Sequence, residues 1–364
     1  MNQPCLKLTA YFAERQRVAG GGRFLADSMF DLFGARDVAT SVMLRGIASF
    51  GPRHELRSDI SLSLSEDPAV AIAAVDVEPK IRELVGDVAA MTDRGLLTLE
   101  RARLVTPQLG TDALRNFDSH NDDAAKLTVY VGRQERVGGK PAQYAVCDLL
   151  HRHGFAGAIV LLGVDGTAHG ERRRARFFGR NANVPLMIIG IGTTTQVSTA
   201  ATELATLVPN PLLTVERVRL CKRDGRRFAR PQELPATDAN GRTLWQKLMV
   251  YTAEGTFHDE LPIHRAIVQR LLHSQTARGA TVLRGVWGFY GDHKPHGDRL
   301  FQVARRVPVT TIVVDTPEAI ARSFDVIDGL TTRHGLVTSE MVPAALSLDE
   351  SERLGDITLA EHDY

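Results

Sequence analysis

The stretch "LLTLERARL" (96–104) recurs at 212–220 as "LLTVERVRL", with seven of nine positions identical. A strand written twice points to a repeat, and the flanking sequence extends it. Upstream of each copy stands Lys-Leu-x-x-Tyr: "LKLTAYFAE" (6–14) and "AKLTVYVGR" (125–133). A third match, "QKLMVYTAE" (246–254), predicts a third closing strand, and "LVTSEMVPA" (336–344) supplies it. From Lys7 to Thr98, Lys126 to Thr214 and Lys247 to Thr338 the spacing is 91, 88 and 91 residues. Three units of about a hundred residues, near the size of independent domains, are written in tandem.

Each unit repeats one order. The opening segment alternates with period two: Leu6, Leu8, Ala10 and Phe12 share one side, Lys7, Thr9 and Tyr11 the other. A helix follows, opening on Pro141 and Pro262 in units two and three. A second strand runs up to a glycine: "TSVMLRG" (40–46), "AIVLLG" (158–163) and "ATVLRG" (280–285). A long glycine- and charge-rich loop leads to a buried, β-branched third strand (70–76, 186–192, 310–316). A second helix (78–92, 195–207, 317–332) precedes the closing strand. The order is βαββαβ, an α+β ferredoxin-like unit. Two helices cover one face of such a sheet, so the bare faces of the three units are expected to pack together. The boundaries read as unit one at 1–105, a linker at 106–124, unit two at 125–221, a linker at 222–244, unit three at 245–346, and a mobile acidic tail at 347–364.

Composition bounds the function. The 364 residues carry 44 basic and 43 acidic side chains, net +1, which argues against a global nucleic-acid surface. Cys5, Cys147 and Cys221 are scattered, so no disulfide framework or zinc knuckle follows. No leader pattern or membrane-length apolar run is present, and a cytoplasmic chain without membrane insertion is expected. No Ser/His/Asp or paired-carboxylate arrangement recurs at matching positions, so no enzyme is expected. Thr98/Glu100, Thr214/Glu216 and Thr338/Glu340 persist in all three units and read as inter-unit hydrogen-bonding residues, with ligand contact as the alternative. "DHKPHGD" gathers Asp292, His293, His296 and Asp298 in one loop, a transition-metal candidate or a solvated loop. The run "ERRRARFFGR" (171–180) reads as a solvated loop, or as a surface for an acidic partner or phosphate.

Taken together, "LRGIASFG" (44–51), "LSEDPAVAIAAVD" (64–76) and "GLLTLERARL" (95–104) resemble the PII-like signalling family called domain of unknown function 190. Unit three keeps "LRGVWGFYG" (283–291), "VPVTTIVVDTPEAI" (307–320) and "GLVTSE" (335–340), while "LLGVDGTAHG" (161–170) in unit two loses the motif. Family members are expected to be trimers, so three units in one chain imply a monomeric chain folded as a pseudo-trimer. The resemblance implies a regulatory protein with a small anionic ligand, such as an adenine nucleotide, in inter-unit clefts. It also implies a target protein, such as a membrane transporter, met through the long loops. The matching residues are Arg45, Gly46, Gly51, Arg53, Arg94 and Gly95 in unit one, and Arg284, Gly285 and Gly291 in unit three. The plainer alternative is a strand exit enabled by glycine with solvated arginines. A divalent-metal-binding protein of the same fold and a ligand-free interaction module are the rival functions. Loss of the motif in unit two implies fewer than three ligands per chain.

Overall fold

The computed structural model describes residues 4–58, 67–105, 124–168, 171–172, 184–208, 211–291, 293–297, 307–350 and 352–362. Unit one runs β1 (Pro4–Ala13), α1 (Leu25–Ala35), β2 (Thr40–Phe50), β3 (Ala69–Val77), α2 (Glu78–Met91) and β4 (Arg94–Val105). Unit two runs β5 (Ala124–Gly132), α3 (Ala142–Arg152), β6 (Gly157–Leu162), β7 (Asp165–Ala168), β8 (Pro185–Thr193), α4 (Thr194–Leu207) and β9 (Leu212–Arg223). Unit three runs β10 (Trp245–Ala253), α5 (Ile263–Ser274), β11 (Ala280–Tyr290), β12 (Pro308–Asp315), α6 (Pro317–Leu330) and β13 (Leu336–Val342). A C-terminal hairpin, β14 (Ala344–Asp349) and β15 (Glu352–Asp356), follows.

Each unit builds the same antiparallel sheet, with its first strand between the third and the last and its second strand outside the third. The ladders are β1–β3, β1–β4 and β2–β3; β5–β8, β5–β9 and β6–β8; β10–β12, β10–β13 and β11–β12. Period-two alternation explains the layering. Leu6, Leu8, Ala10 and Phe12 turn toward α1 and α2, where they meet Phe30, Phe33 and Leu84 in one core. Units two and three have equivalent helix-side cores. The opposite sheet faces share a further core: Val42 and Ala102, Met187 and Val218, and Met249 and Ile312 come from all three units. Sheets covered on both faces keep the β-branched composition that the third strands display.

The sheets are also stitched edge to edge. The end of β4 pairs with the start of β9, the end of β9 with the start of β13, and β14 with the start of β4. The second strands make a further set: Ala48–Phe50 of β2 with Ala280–Val282 of β11, Trp287–Tyr290 of β11 with β6, and β7 with Thr40–Met43 of β2. Thus β2 and β11 do not stop at Gly46 and Gly285 as the sequence suggests. They continue into a neighbouring unit's sheet, and the register shifts beside both glycines. Pro141 and Pro262 sit one residue before their helices, as N-caps, rather than inside the first turn.

The expectations for the second linker and for the tail change, while the first linker is not tested. Residues 106–123 lie outside the described residues. Of 222–244, Lys222 and Arg223 still belong to β9, and Leu244 is fully buried. The Asp238 carboxylate accepts from the backbone N–H of Asn240, Arg242 and Glu361, which ties this segment to the C-terminus. The expected mobile tail instead contributes secondary structure and core within its described residues, 347–350 and 352–362. Residues 347–349 belong to β14, which extends the β4 edge, and Leu359 and Ala360 are buried. Arg101 donates to the Ala360 carbonyl at 2.7 Å.

Candidate functional site

Two polar sites sit where units meet. The first is at the centre. Lys7 lies directly across the ladder from Glu100, Lys126 from Glu216, and Lys247 from Glu340. These own-unit pairs measure 2.7, 2.9 and 3.0 Å. Each ammonium also reaches the next unit's carboxylate: Lys7 to Glu216 at 2.7 Å, Lys126 to Glu340 at 2.5 Å, and Lys247 to Glu100. Three cations and three anions therefore alternate in one buried ring. Thr98 donates to Glu100 at 3.1 Å, and Thr214 and Thr338 are buried at the matching positions.

Burial alone would lower a lysine, but Glu100, Glu216 and Glu340 hold Lys7 well above its usual range. Lys247 rises likewise against burial, through Glu100 and Glu340. At Lys126, burial and the facing ammoniums of Lys247 and Lys7 outweigh the attraction of Glu216 and Glu340, and its affinity for a proton falls. Burial would raise Glu100, yet Lys247, Lys7 and Lys126 pull it well below the carboxylate range, and Glu340 also falls. Oxygens of Glu100, Glu216 and Glu340 lie within 4.8 Å of one another, close enough to share a cation. Three ammonium groups already occupy that role, so the ring reads as a joint between units. A cavity of about 40 Å³ beside it, lined by the three lysines, Thr128 and Tyr130, has room for a water.

The second site is a cleft of about 580 Å³ between units one and three. Its walls are apolar: Phe12 and Leu96 from unit one, Trp245, Ile312 and Val314 from unit three. Its polar lining includes Arg53, Arg57, Arg94 and Arg278. Gly51 faces open space there, leaving its backbone approachable. Gly95 is required by a close approach: φ is +132° and an added Cβ would stand 2.4 Å from the Tyr11 carbonyl oxygen. The Trp245 indole N–H is buried at the cleft wall without a hydrogen-bond partner among the described residues. Volume, apolar walls and a few convergent polar groups are the usual makings of a small-molecule site.

Of the nine residues expected at a ligand, Gly51, Arg53, Arg94 and Gly95 line this one cleft. The others lie elsewhere. Arg45 pairs with Glu14, through Nε at 2.9 Å, and Arg284 with Glu254 at 2.8 Å, each inside its own unit. Arg133 and Leu162 stand at the two corresponding positions of unit two, so the pair is lost as a pair. Gly46 and Gly285 make room for a crossing strand: an added Cβ at Gly285 would lie 2.7 Å from Ile159 Cγ1. Gly291 faces the Asp224 carboxylate, 2.5 Å from where a Cβ would stand. Of the metal candidates, Asp292 and Asp298 lie outside the described residues. His296 Nδ1 is 2.8 Å from the Lys294 carbonyl oxygen, and His293 stacks edge-on against Tyr290, so these two rings have other neighbours. Most of the arginine run at 171–180 lies outside the described residues. Sequence reasoning missed Lys7, Lys126 and Lys247, although the motif that revealed the repeat contains them. It also missed Glu14, Glu254 and Trp245.

Comparison with known proteins agrees with the repeat. The family model DUF190, described as an uncharacterized ACR, matches three times, over residues 5–104, 124–220 and 245–344. A UPF0166 protein of Aquifex aeolicus (strain VF5) is 28% identical over 102 residues, which cover 28% of this chain and 94% of that protein. That relative is one unit long.

Proposed function

The chain belongs to the DUF190 family, a PII-like family of unknown function, and from that premise we propose a non-enzymatic regulatory protein that binds an anionic, nucleotide-sized ligand between units one and three. Each unit is a ferredoxin-like split βαβ, and the three form a pseudo-trimer within one chain. The cyclic strand pairings and the shared central core support this architecture. The observation that carries the ligand reading is the cleft. Its apolar walls suit a base, Gly51 leaves its backbone open to close approach, and Arg53 and Arg94 stand at its edge for a phosphate. The geometry favours one competent cleft per chain, because Asp224 occupies the place beside Gly291 in unit three. Output passes to a partner protein in the cytoplasm through the long loops, which fall largely outside the described residues.

The test is calorimetry with ATP, ADP, AMP and cyclic AMP. One ligand per chain is expected, and Arg53→Ala or Arg94→Ala should weaken it by about 1.5–3 kcal/mol, the range for a charged hydrogen bond. Three equal sites, or no binding of any adenine nucleotide, would overturn the proposal. A thermal-shift screen with zinc and copper separates it from the metal-binding alternative.

A further inference from the structure

Resting on the reading of the cleft as an anion site, we infer that the tip of the C-terminal hairpin is a built-in competitor for it, so that the cleft selects polyphosphate over monophosphates and monocarboxylates. Arg53 and Arg94 are not free. Arg53 Nε donates to Asp349 Oδ2 at 3.1 Å, and its Nη2 lies 3.3 Å from Glu350. Arg94 pairs with Glu350 and stands 3.9 Å from Asp349. Asp349 itself lines the cleft. Two carboxylates of the same chain thus sit where a ligand's charge would go.

The repeat supplies an internal control. At the corresponding place in unit three, Asp224 tips the hairpin of β9 and the two-residue strand Arg226–Arg227. Its N–H donates to the Gly335 carbonyl and the Glu350 N–H to that of Asp93, each just before the facing strand begins, although Gly335 matches Gly95 and the two turns are therefore offset by two positions. Asp224 and Glu350 share a left-handed φ, +48° and +57°. There His334 stands in place of Arg94, and the Asp224 carboxylate lies 3.7 Å from the Nε of its own neighbour Arg223. The turn there forms without an arginine at the Arg94 position of the facing strand, so the turn itself does not require the contacts that Arg94 makes with Asp349 and Glu350.

Both arginine side chains are nearly half exposed, and such pairs are weak and exchangeable in water. Tethering nevertheless gives the acids a high local concentration. A monocarboxylate or monophosphate offers the arginines little beyond what Asp349 and Glu350 already provide. A diphosphate brings more charge and can engage both guanidiniums at once. Displacement would leave β14 seated on β4 and free only the tip, turning occupancy into a change at the surface.

The experiment titrates the full chain with sodium pyrophosphate and with orthophosphate, as wild type, as Asp349→Asn/Glu350→Gln, and as Arg53→Ala/Arg94→Ala. The inference expects wild type to prefer pyrophosphate and the acid variant to bind both probes more tightly, by about tenfold if two weak charged pairs are relieved. The arginine variant should bind neither. Pyrophosphate binding by wild type with no gain in the acid variant would overturn the competitor and leave the cleft reading standing. No binding by any of the three proteins would end both. Hydrogen exchange on wild type is independent of how the variants fold: pyrophosphate should speed exchange at 349–350, and protection there would overturn the inference.

Discussion

The buried ring concentrates the cost of error in six side chains. A buried ion pair is weak grounds for net stability, but removing one partner leaves an uncompensated charge. Glu100→Gln would strand parts of Lys7 and Lys247, and it should cost about 3–5 kcal/mol in urea denaturation. Arg45→Ala, which breaks a pair whose arginine side chain is 53% exposed, should cost less than about 1 kcal/mol. Equal losses would mean that the ring carries no special burden. Acid sensitivity follows from the same groups. Glu100 is depressed in the fold, so its stabilisation is present above the ordinary carboxylate range and is lost as pH falls through its lower folded value. His264 acts in an earlier window. It is buried in α5 and pulled down to about 4, by burial first and then by Arg265 and Arg284. An unfolded histidine takes up a proton near pH ~6.5, whereas the folded one does not until about 4. Stability should therefore decline by about 2–4 kcal/mol as pH falls through that interval, then level off until the ring carboxylates titrate. His264→Gln should flatten the first decline and leave the second; an unchanged profile would remove His264 as its source.

At the scale of elements, alternation made the strands legible, and order made the units legible. Leu6, Leu8 and Ala10 read correctly as a core face because helices cover it. Lys7 and Thr9 carry the same alternation, but a single unit gives no reason to bury them. Their burial comes from the neighbouring units, which periodicity does not encode. The strand ends were misread for a related reason. Glycine after Arg45 and Arg284 looks like an exit to a loop, yet it is where the strand leaves one sheet for the next and side chains must clear a crossing ladder. The tail was misread because its acidic residues outweigh Leu348, Leu359 and Ala360, which are buried. The cleft arginines were legible from the resemblance; the acids opposite them, about 255–300 positions away in sequence, were not. Gly285→Ala tests the crossing. Its Cβ would also stand 3.0 Å from the Pro308 carbonyl oxygen, so backbone must move and a loss of about 1–3 kcal/mol is expected. Gly86→Ala, on α2 with nothing within 4 Å, should be neutral or slightly stabilising. Thermal unfolding of the two variants side by side decides whether the strand crossing imposes the glycine.

At the scale of the whole chain, a joint written three times holds the units against one another. Unit one meets both others through strand ladders: β4 with β9, β14 with β4, β2 with β11, and β7 with β2. The shared core and the ion ring add contacts that no single unit can make. Covalent connection between the units therefore mainly raises their local concentration, rather than creating the interfaces. A protease site inserted between Val105 and Ala124 would sever unit one from the rest without touching a described strand or helix. After cleavage, the two fragments should still elute together as one species with the mass of a single chain. Their joint melting temperature should become concentration-dependent, as it does for any folded state that requires association. Glu100→Gln in the cleaved protein should lower the concentration stability of the complex, since the ring crosses the cut interface. Separate elution at micromolar concentration, with each fragment retaining its own cooperative melting transition, would instead mean that the units are domains on a string and that the joints contribute little.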